Sequence, residues 1–180
     1  MKLHNNKENF IEVIQIVSRS LNISPSLIEK DYYVTMILKS INDEVSGLIF
    51  KGGTSLSKCH KAINRFSEDI DLTLDSEHLT EGQRKIVKPA IIKICKNLGL
   101  TINNIEETRS RRDYNCYQIS YPLLFKNDEV NPVIKVEVVF IQECYPDEIK
   151  KADSIIGEWL KANGFSKQAE NYDLFSFDIH

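Results

Sequence analysis

Residues 50–74, FKGGTSLSKCHKAINRFSEDIDLTL, constrain this chain more than any other stretch. Leu48-Ile49-Phe50 reads as a short strand feeding a Gly52-Gly53-Thr54-Ser55 turn, followed by a short helix over 54–63 and a second strand over 68–74. In that second strand Ile70, Leu72 and Leu74 supply a buried face. Asp69 and Asp71 project together from the other face, with about 6.6 Å of rise between them. Two carboxylates held side by side repel each other, so neither propensity nor packing accounts for the pair. A divalent cation does, because hard ions such as Mg²⁺ take carboxylate oxygens together with substrate phosphates. The upstream glycines let the backbone approach a phosphate, and their N–H groups lead into a helix N-terminus, which favours anions. Either half alone is common on protein surfaces; the conjunction points to phosphoryl or nucleotidyl transfer. A P-loop ATPase is excluded by spacing, since Lys51 precedes the glycines and Lys58 follows Ser55 by three residues.

A chain of 180 residues fits one domain with a real core, and 42% hydrophobic with 27% charged residues is ordinary for a globular protein. No run approaches the ~18 apolar residues of a membrane span, and the polar start MKLHNNKENF is not a secretory signal. Cys59, Cys95, Cys116 and Cys144 form no C-x-x-C, which reads as a reduced, cytoplasmic protein with incidental thiols. Histidines at 4, 60, 78 and 180 are too scattered for a His-based zinc site or catalytic dyad. The net charge of −3 does not announce a nucleic-acid binder. It does not exclude one either, because a metal would neutralise some of the acidic residues.

Along the chain, Phe10, Ile14, Val17 and Leu21 mark a helix over 7–21 with one apolar stripe. Ser24-Pro25 is a capping residue followed by a first-turn proline, opening a helix to about Ile41 with Leu27, Val34, Leu38 and Ile41 on one face. Asp31 interrupts that stripe, and an inward charge must be paired, with Lys30 or a core lysine, or else reach the active site. Thr80 with Gln83 resembles a capping box for a helix to Leu98, which Pro89 should kink or split. Gly99 is its stop. Residues 100–107 and 114–124 look like strands joined by the basic loop Arg109-Ser110-Arg111-Arg112, with turns at Asn127-Asp128 and Asn131-Pro132. Residues 152–163 read as a helix ended by Asn163-Gly164, and 173–179 as a final strand.

The strongest strand is Val133–Phe140, apolar on both faces as a central strand would be. Glu137 in its middle needs a metal, a cation or a proton. Lys135, two residues away on the same face, offers a structural partner. The preferred reading makes Glu137 a third metal ligand beside Asp69 and Asp71.

A glycine turn, a helix, Asp-x-Asp on a strand and a lone carboxylate on a later central strand resemble the layout of the DNA polymerase β-like nucleotidyltransferase superfamily. Within it, Lys51-Gly52-Gly53-Thr54-x-Leu56-x-Lys58 and Arg65-Phe66-Ser67-Glu68-Asp69-Ile70-Asp71-Leu72 resemble the AbiEii/AbiGii toxin family, as do Glu29-Lys30-Asp31-Tyr32 and Ile134-Lys135-Val136-Glu137. The resemblance implies an α+β fold: a polymerase β-like core at 46–180, its mixed sheet packed with helices, preceded by an N-terminal helical pair at 1–45. It implies a toxin made beside a separate antitoxin, in a toxin–antitoxin or phage-abortive system. Such a toxin moves a nucleotide from an NTP to RNA such as tRNA. Family members continue into a helical C-terminal region, so this chain reads as a fragment, a truncated product or a minimal member.

In the mechanism so implied, Asp69 and Asp71 hold two Mg²⁺ (or Mn²⁺) ions that clamp the NTP phosphates. Glu137 holds the ion at the acceptor hydroxyl and helps remove its proton. Gly52, Gly53, Thr54 and Ser55 cradle the β/γ-phosphates, with Lys58 and Arg65 as charge stabilisers for pyrophosphate. A catalytically silent nucleotide-binding module, or transfer to a protein hydroxyl, would use the same residues.

Overall fold

The computed structural model describes residues 1–62, 69–74, 80–109, 113–126, 130–140 and 148–180. Asn6 opens helix α1 (Lys7–Leu21) by accepting the Asn9 N–H at 3.1 Å, and Asn22 ends it in the left-handed conformation. Phe10, Ile14 and Val17 are fully buried, as their spacing requires, but Leu21 is 43% exposed. It occupies the last helical position, beyond the reach of the core.

Helix α2 (Pro25–Glu44) is the centre of the molecule. The expected single stripe gives way to burial on every side from Ile28 to Lys39. Its charges therefore need built partners, and they have them. Glu29 accepts the Leu124 and Phe125 N–H groups at 2.9 and 3.0 Å. Lys30 donates to the Asn131 carbonyl at 2.6 Å, and Lys39 pairs with Asp173. Tyr32 and Tyr33 pack against Phe10 with ring centroids 4.7 and 5.9 Å away.

Strand β1 (Leu48–Lys51) runs straight into α3 (Gly52–Lys58), so the glycine pair forms the first turn of that helix rather than a loop before it. Strand β2 (Ile70–Leu74) follows, then α4 (Glu81–Asn97). Thr80 caps α4 by accepting the Gln83 N–H at 3.3 Å. The helix runs through Pro89 unbroken. Pro89 lies on the exposed side, while Val87, Ala90, Ile91 and Ile94 anchor the turns around it.

The next expected strand shrinks to β3 (Thr101–Ile102) and a 3₁₀ turn at Ile105–Glu107. Strands β4 (Tyr114–Ser120) and β5 (Val133–Val139) follow. The chain then forms β6 (Lys150–Ala152), α5 (Ile155–Ala162), α6 (Ser166–Asn171) and β7 (Phe177–Ile179). Neither β6 nor α6 was expected from the sequence.

The main sheet has the order β1-β2-β5-β4-β3, and β6 pairs with β7 in a second, small sheet. Only β2 and β5 are parallel in the main sheet; its other pairings are antiparallel. Strand β5 is thus central, yet its two faces differ. Ile134, Val136 and Val138 are fully buried with Ile70, Leu72, Tyr117 and Ile119 in one apolar cluster shared with α2 and α4. Val133, Lys135, Glu137 and Val139 are only half-buried. The opposite face of the sheet is therefore where polar chemistry is available.

Candidate active site

The pairing register brings the carboxylates together. Asp71 on β2 sits directly opposite Glu137 on the parallel neighbour β5. Register partners project to the same face, so Glu137 stands beside Asp71 on the half-buried side. Asp69 immediately precedes β2 and is half-buried as well. Burial, then the Glu137 charge, then the Asp69 charge push the Asp71 carboxyl above the usual carboxylate range; Lys51 opposes the shift. Lys135 forms no ion pair with Glu137 among the described residues, so the simple structural explanation of Glu137 lacks its contact.

Gly52 explains the sequence of the turn. It adopts φ +75°, and a Cβ built there would fall 1.9 Å from Asp71 Oδ2. Only glycine lets the backbone of α3 come this close to the carboxylate strand. Thr54, also part of the expected cradle, is 1% exposed and donates its hydroxyl to the Asp69 carbonyl. It ties α3 to the carboxylate segment rather than offering a hydroxyl to a ligand. Ser55 lines a separate cleft of about 180 Å³ with Cys59, His60, Glu148 and Lys150, which none of the three carboxylates lines.

Lys58 departs furthest from expectation. Its ammonium lies 2.5 Å from Asp31 Oδ1, both side chains being under one-tenth exposed, and it also donates to the Asp153 carbonyl at 3.0 Å. Its charge is committed to a buried carboxylate rather than presented to pyrophosphate, and Asp31 is paired with a core lysine. Arg65 lies outside the described residues.

Three residues join the site that sequence reasoning passed over. Lys51 is the register partner of Asp71 across β1, on the same face. Its alternation with buried Phe50 was the available signal. Cys116 is the register partner of Glu137 across β4, and burial and the Glu137 charge push its thiol up. Tyr114, two residues earlier on β4, shares that face; burial, Cys116 and Glu137 push its hydroxyl up to about 12. Nothing in the sequence alone sets the β4–β5 register that reveals them.

Residues 37–164 match the family described as nucleotidyl transferase AbiEii toxin, Type IV toxin–antitoxin system. The chain belongs to this family. The matched span of this AbiEii chain contains the glycine turn and all three carboxylates, whereas Glu29–Tyr32 precede it. No curated protein matches the AbiEii chain in sequence. Among solved structures, it is similar to MenT4, a nucleotidyltransferase toxin from Mycobacterium tuberculosis H37Rv, at 20% identity and a TM-score of 0.47. The match covers 76% of this chain and 47% of that one, so the AbiEii chain spans about half the length of that protein.

No three His, Cys, Asp or Glu side chains converge to hold a metal ion by themselves among the described residues. Mg²⁺ does not ask for such a cage, since it is commonly held by one or two carboxylates, water and substrate phosphates. The AbiEii site offers oxygen donors of that kind: Asp71 and Glu137 in register, with Asp69 close enough to raise Asp71. This donor set fits a hard divalent ion brought in with a phosphate ligand.

Proposed function

We propose that the chain carries out metal-dependent transfer of a nucleotide from an NTP to a hydroxyl of an RNA acceptor, tRNA-like in kind. It acts as the toxin beside a cognate antitoxin in the cytoplasm, in a system that aborts phage infection. The observation that carries the reading is the register of Asp71 with Glu137 on the half-buried sheet face, against a glycine turn shaped to meet Asp71. Carboxylates held side by side repel each other, which makes them poor structural elements and good ligands for a cation. Among the described residues no helix is long and apolar enough to cross a membrane.

In this mechanism Asp69, Asp71 and Glu137 would hold Mg²⁺ or Mn²⁺ together with the substrate phosphates. When bound, the metal neutralises the phosphates and makes the α-phosphorus more electrophilic. The NTP phosphates lie against the backbone of the Gly52-Gly53 turn, whose Gly52 is held close to Asp71. Glu137 orients the acceptor hydroxyl and takes its proton as the new P–O bond forms and pyrophosphate departs. Lys51, on the Asp71 face, takes the place of Lys58 as the cation that counters developing negative charge.

The test incubates the full chain with each α-labelled NTP, Mg²⁺ and either total RNA or protein extract. Label should enter RNA in the wild type and be lost on chelation and in Asp69→Asn, Asp71→Asn and Glu137→Gln. Transfer at the wild-type rate by Asp71→Asn or Glu137→Gln refutes the carboxylate assignment. Label in protein alone corrects the acceptor.

A further inference from the structure

Several elements of the fold meet at one buried ion pair that the transfer chemistry does not use. Lys58, the last residue of α3, reaches Asp31 on α2 with 9% and 6% of the two side chains exposed. The other Asp31 oxygen, Oδ2, accepts the Ile155 N–H at 2.7 Å, where α5 begins. Lys58 also donates to the Asp153 carbonyl at 3.0 Å. The Asp153 carboxylate accepts the Ser154 N–H at 2.8 Å and the Ser176 hydroxyl at 3.1 Å, and it pairs with Lys161. Both oxygens of Asp31 are thus engaged, and the pair joins α2, α3 and α5 at one point.

A buried ion pair is a weak source of stability, because apolar side chains of similar volume are often as good or better there. What it does supply is a single arrangement of the elements it joins. Here that arrangement concerns the site, because the other end of α3 is fixed to the carboxylates. Thr54 donates to the Asp69 carbonyl, and Gly52 stands against Asp71 with no room for a Cβ. Helix α3 is only seven residues long, so a shift at Lys58 is transmitted to the glycine turn.

We propose that Asp31 and Lys58 are positioning residues: by clamping the C-terminal end of α3 onto α2 and α5, they set where the Gly52 turn and the Asp69 backbone stand against Asp71. The proposal rests on the nucleotidyl-transfer reading of the carboxylates, since it concerns how they are held. Neither residue touches the substrate, and both act through α3.

The test compares the wild type with Asp31→Leu/Lys58→Met, which removes both charges, with Asp31→Asn, which keeps the shape and the acceptor for Ile155, and with Asp71→Asn. Three quantities are read: cooperative thermal unfolding, hydrogen–deuterium exchange of the amides over 52–58, and the Mg²⁺ concentration giving half-maximal transfer. The double variant should unfold cooperatively, yet exchange about tenfold faster over α3, as a locally loosened segment does. Its Mg²⁺ requirement should rise by about fivefold, in line with a displaced ligand geometry. A merely structural role would lower the active fraction and leave the Mg²⁺ half-saturation where it was. A folded double variant with wild-type exchange over 52–58 and wild-type Mg²⁺ requirement overturns the proposal. Should the double variant fail to fold, Asp31→Asn decides: both quantities rise in the same direction, or the clamp is refuted. Exchange needs no chemistry, so an inactive wild type, or an Asp71→Asn variant as active as wild type, removes the transfer reading while exchange still judges the clamp.

Discussion

Replacing Gly52 by alanine adds one methyl group and should remove most of the activity. Two penalties fall on the same atom. The residue holds φ +75°, where an L side chain is strained by roughly 1–2 kcal/mol. The new Cβ would also stand 1.9 Å from Asp71 Oδ2, and an ordinary non-bonded separation requires a displacement of about 1.5 Å. The carboxylate is the far end of a short side chain on a strand whose opposite face is fully buried, so it rotates more readily than the backbone moves. The fold should therefore survive with a loss of about 1–3 kcal/mol, while Asp71 leaves the position it shares with Glu137. Misplacement on this scale typically costs ~10²-fold in rate. Urea unfolding would give the first quantity and labelled-NTP transfer at saturating Mg²⁺ the second. A Gly52→Ala variant that transfers nucleotide within threefold of wild type would show that the Gly52–Asp71 approach does not serve the site.

The raised Asp71 carboxyl makes a prediction with a definite sign. A folded-state pKa above the unfolded value of about 3.9 contributes stability present in acid and lost as pH rises through the folded pKa. Without metal, Asp71→Asn should therefore be more stable than wild type at neutral pH, with the gap closing in acid; calorimetry that finds a pH-independent gap refutes the buried, raised Asp71 carboxyl as the cause. Mg²⁺ should narrow or reverse that order by binding the wild-type native state. Thr80→Ala removes the N-cap of α4 and should lower the urea-derived stability by about 0.5–2 kcal/mol with transfer unchanged; an altered Mg²⁺ requirement would mean that α4 reaches the site.

Local patterns were legible where the partner of a residue lies within the same window. Thr80 is three residues from Gln83, and Phe10, Ile14 and Val17 share one stripe. The Asp69–Asp71 spacing likewise announced two carboxylates close enough to feel each other's charge. Helix α2 defeated the stripe argument because its charges find their partners far along the chain: Glu29 bonds a backbone 95 residues away and Lys30 one 101 residues away. A periodicity window sees such residues as solvent-facing when they are among the most enclosed in the molecule. Lys58 was misjudged for the same reason, its partner Asp31 lying 27 residues upstream. For Glu137 the sequence showed the anomaly, but only the β2–β5 register shows which carboxylate it accompanies.

The parallel pairing of β2 with β5 has a consequence for the life of the chain before it is complete. Its partners lie 66 residues apart, as Thr73 and Val139 do where the threonine hydroxyl donates to the valine carbonyl at 2.6 Å. Closing a loop of that length precedes any reward from pairing, which makes such contacts slow to form and dependent on the whole intervening segment. A polypeptide emerging from the ribosome up to β2 displays Asp69 and Asp71 without the third carboxylate. Glu137 joins them only after β5 has been made and has inserted between β2 and β4. Under the proposed function the chain carries no complete three-carboxylate site for most of its own synthesis, and neither does the product of a message cut short before Val133.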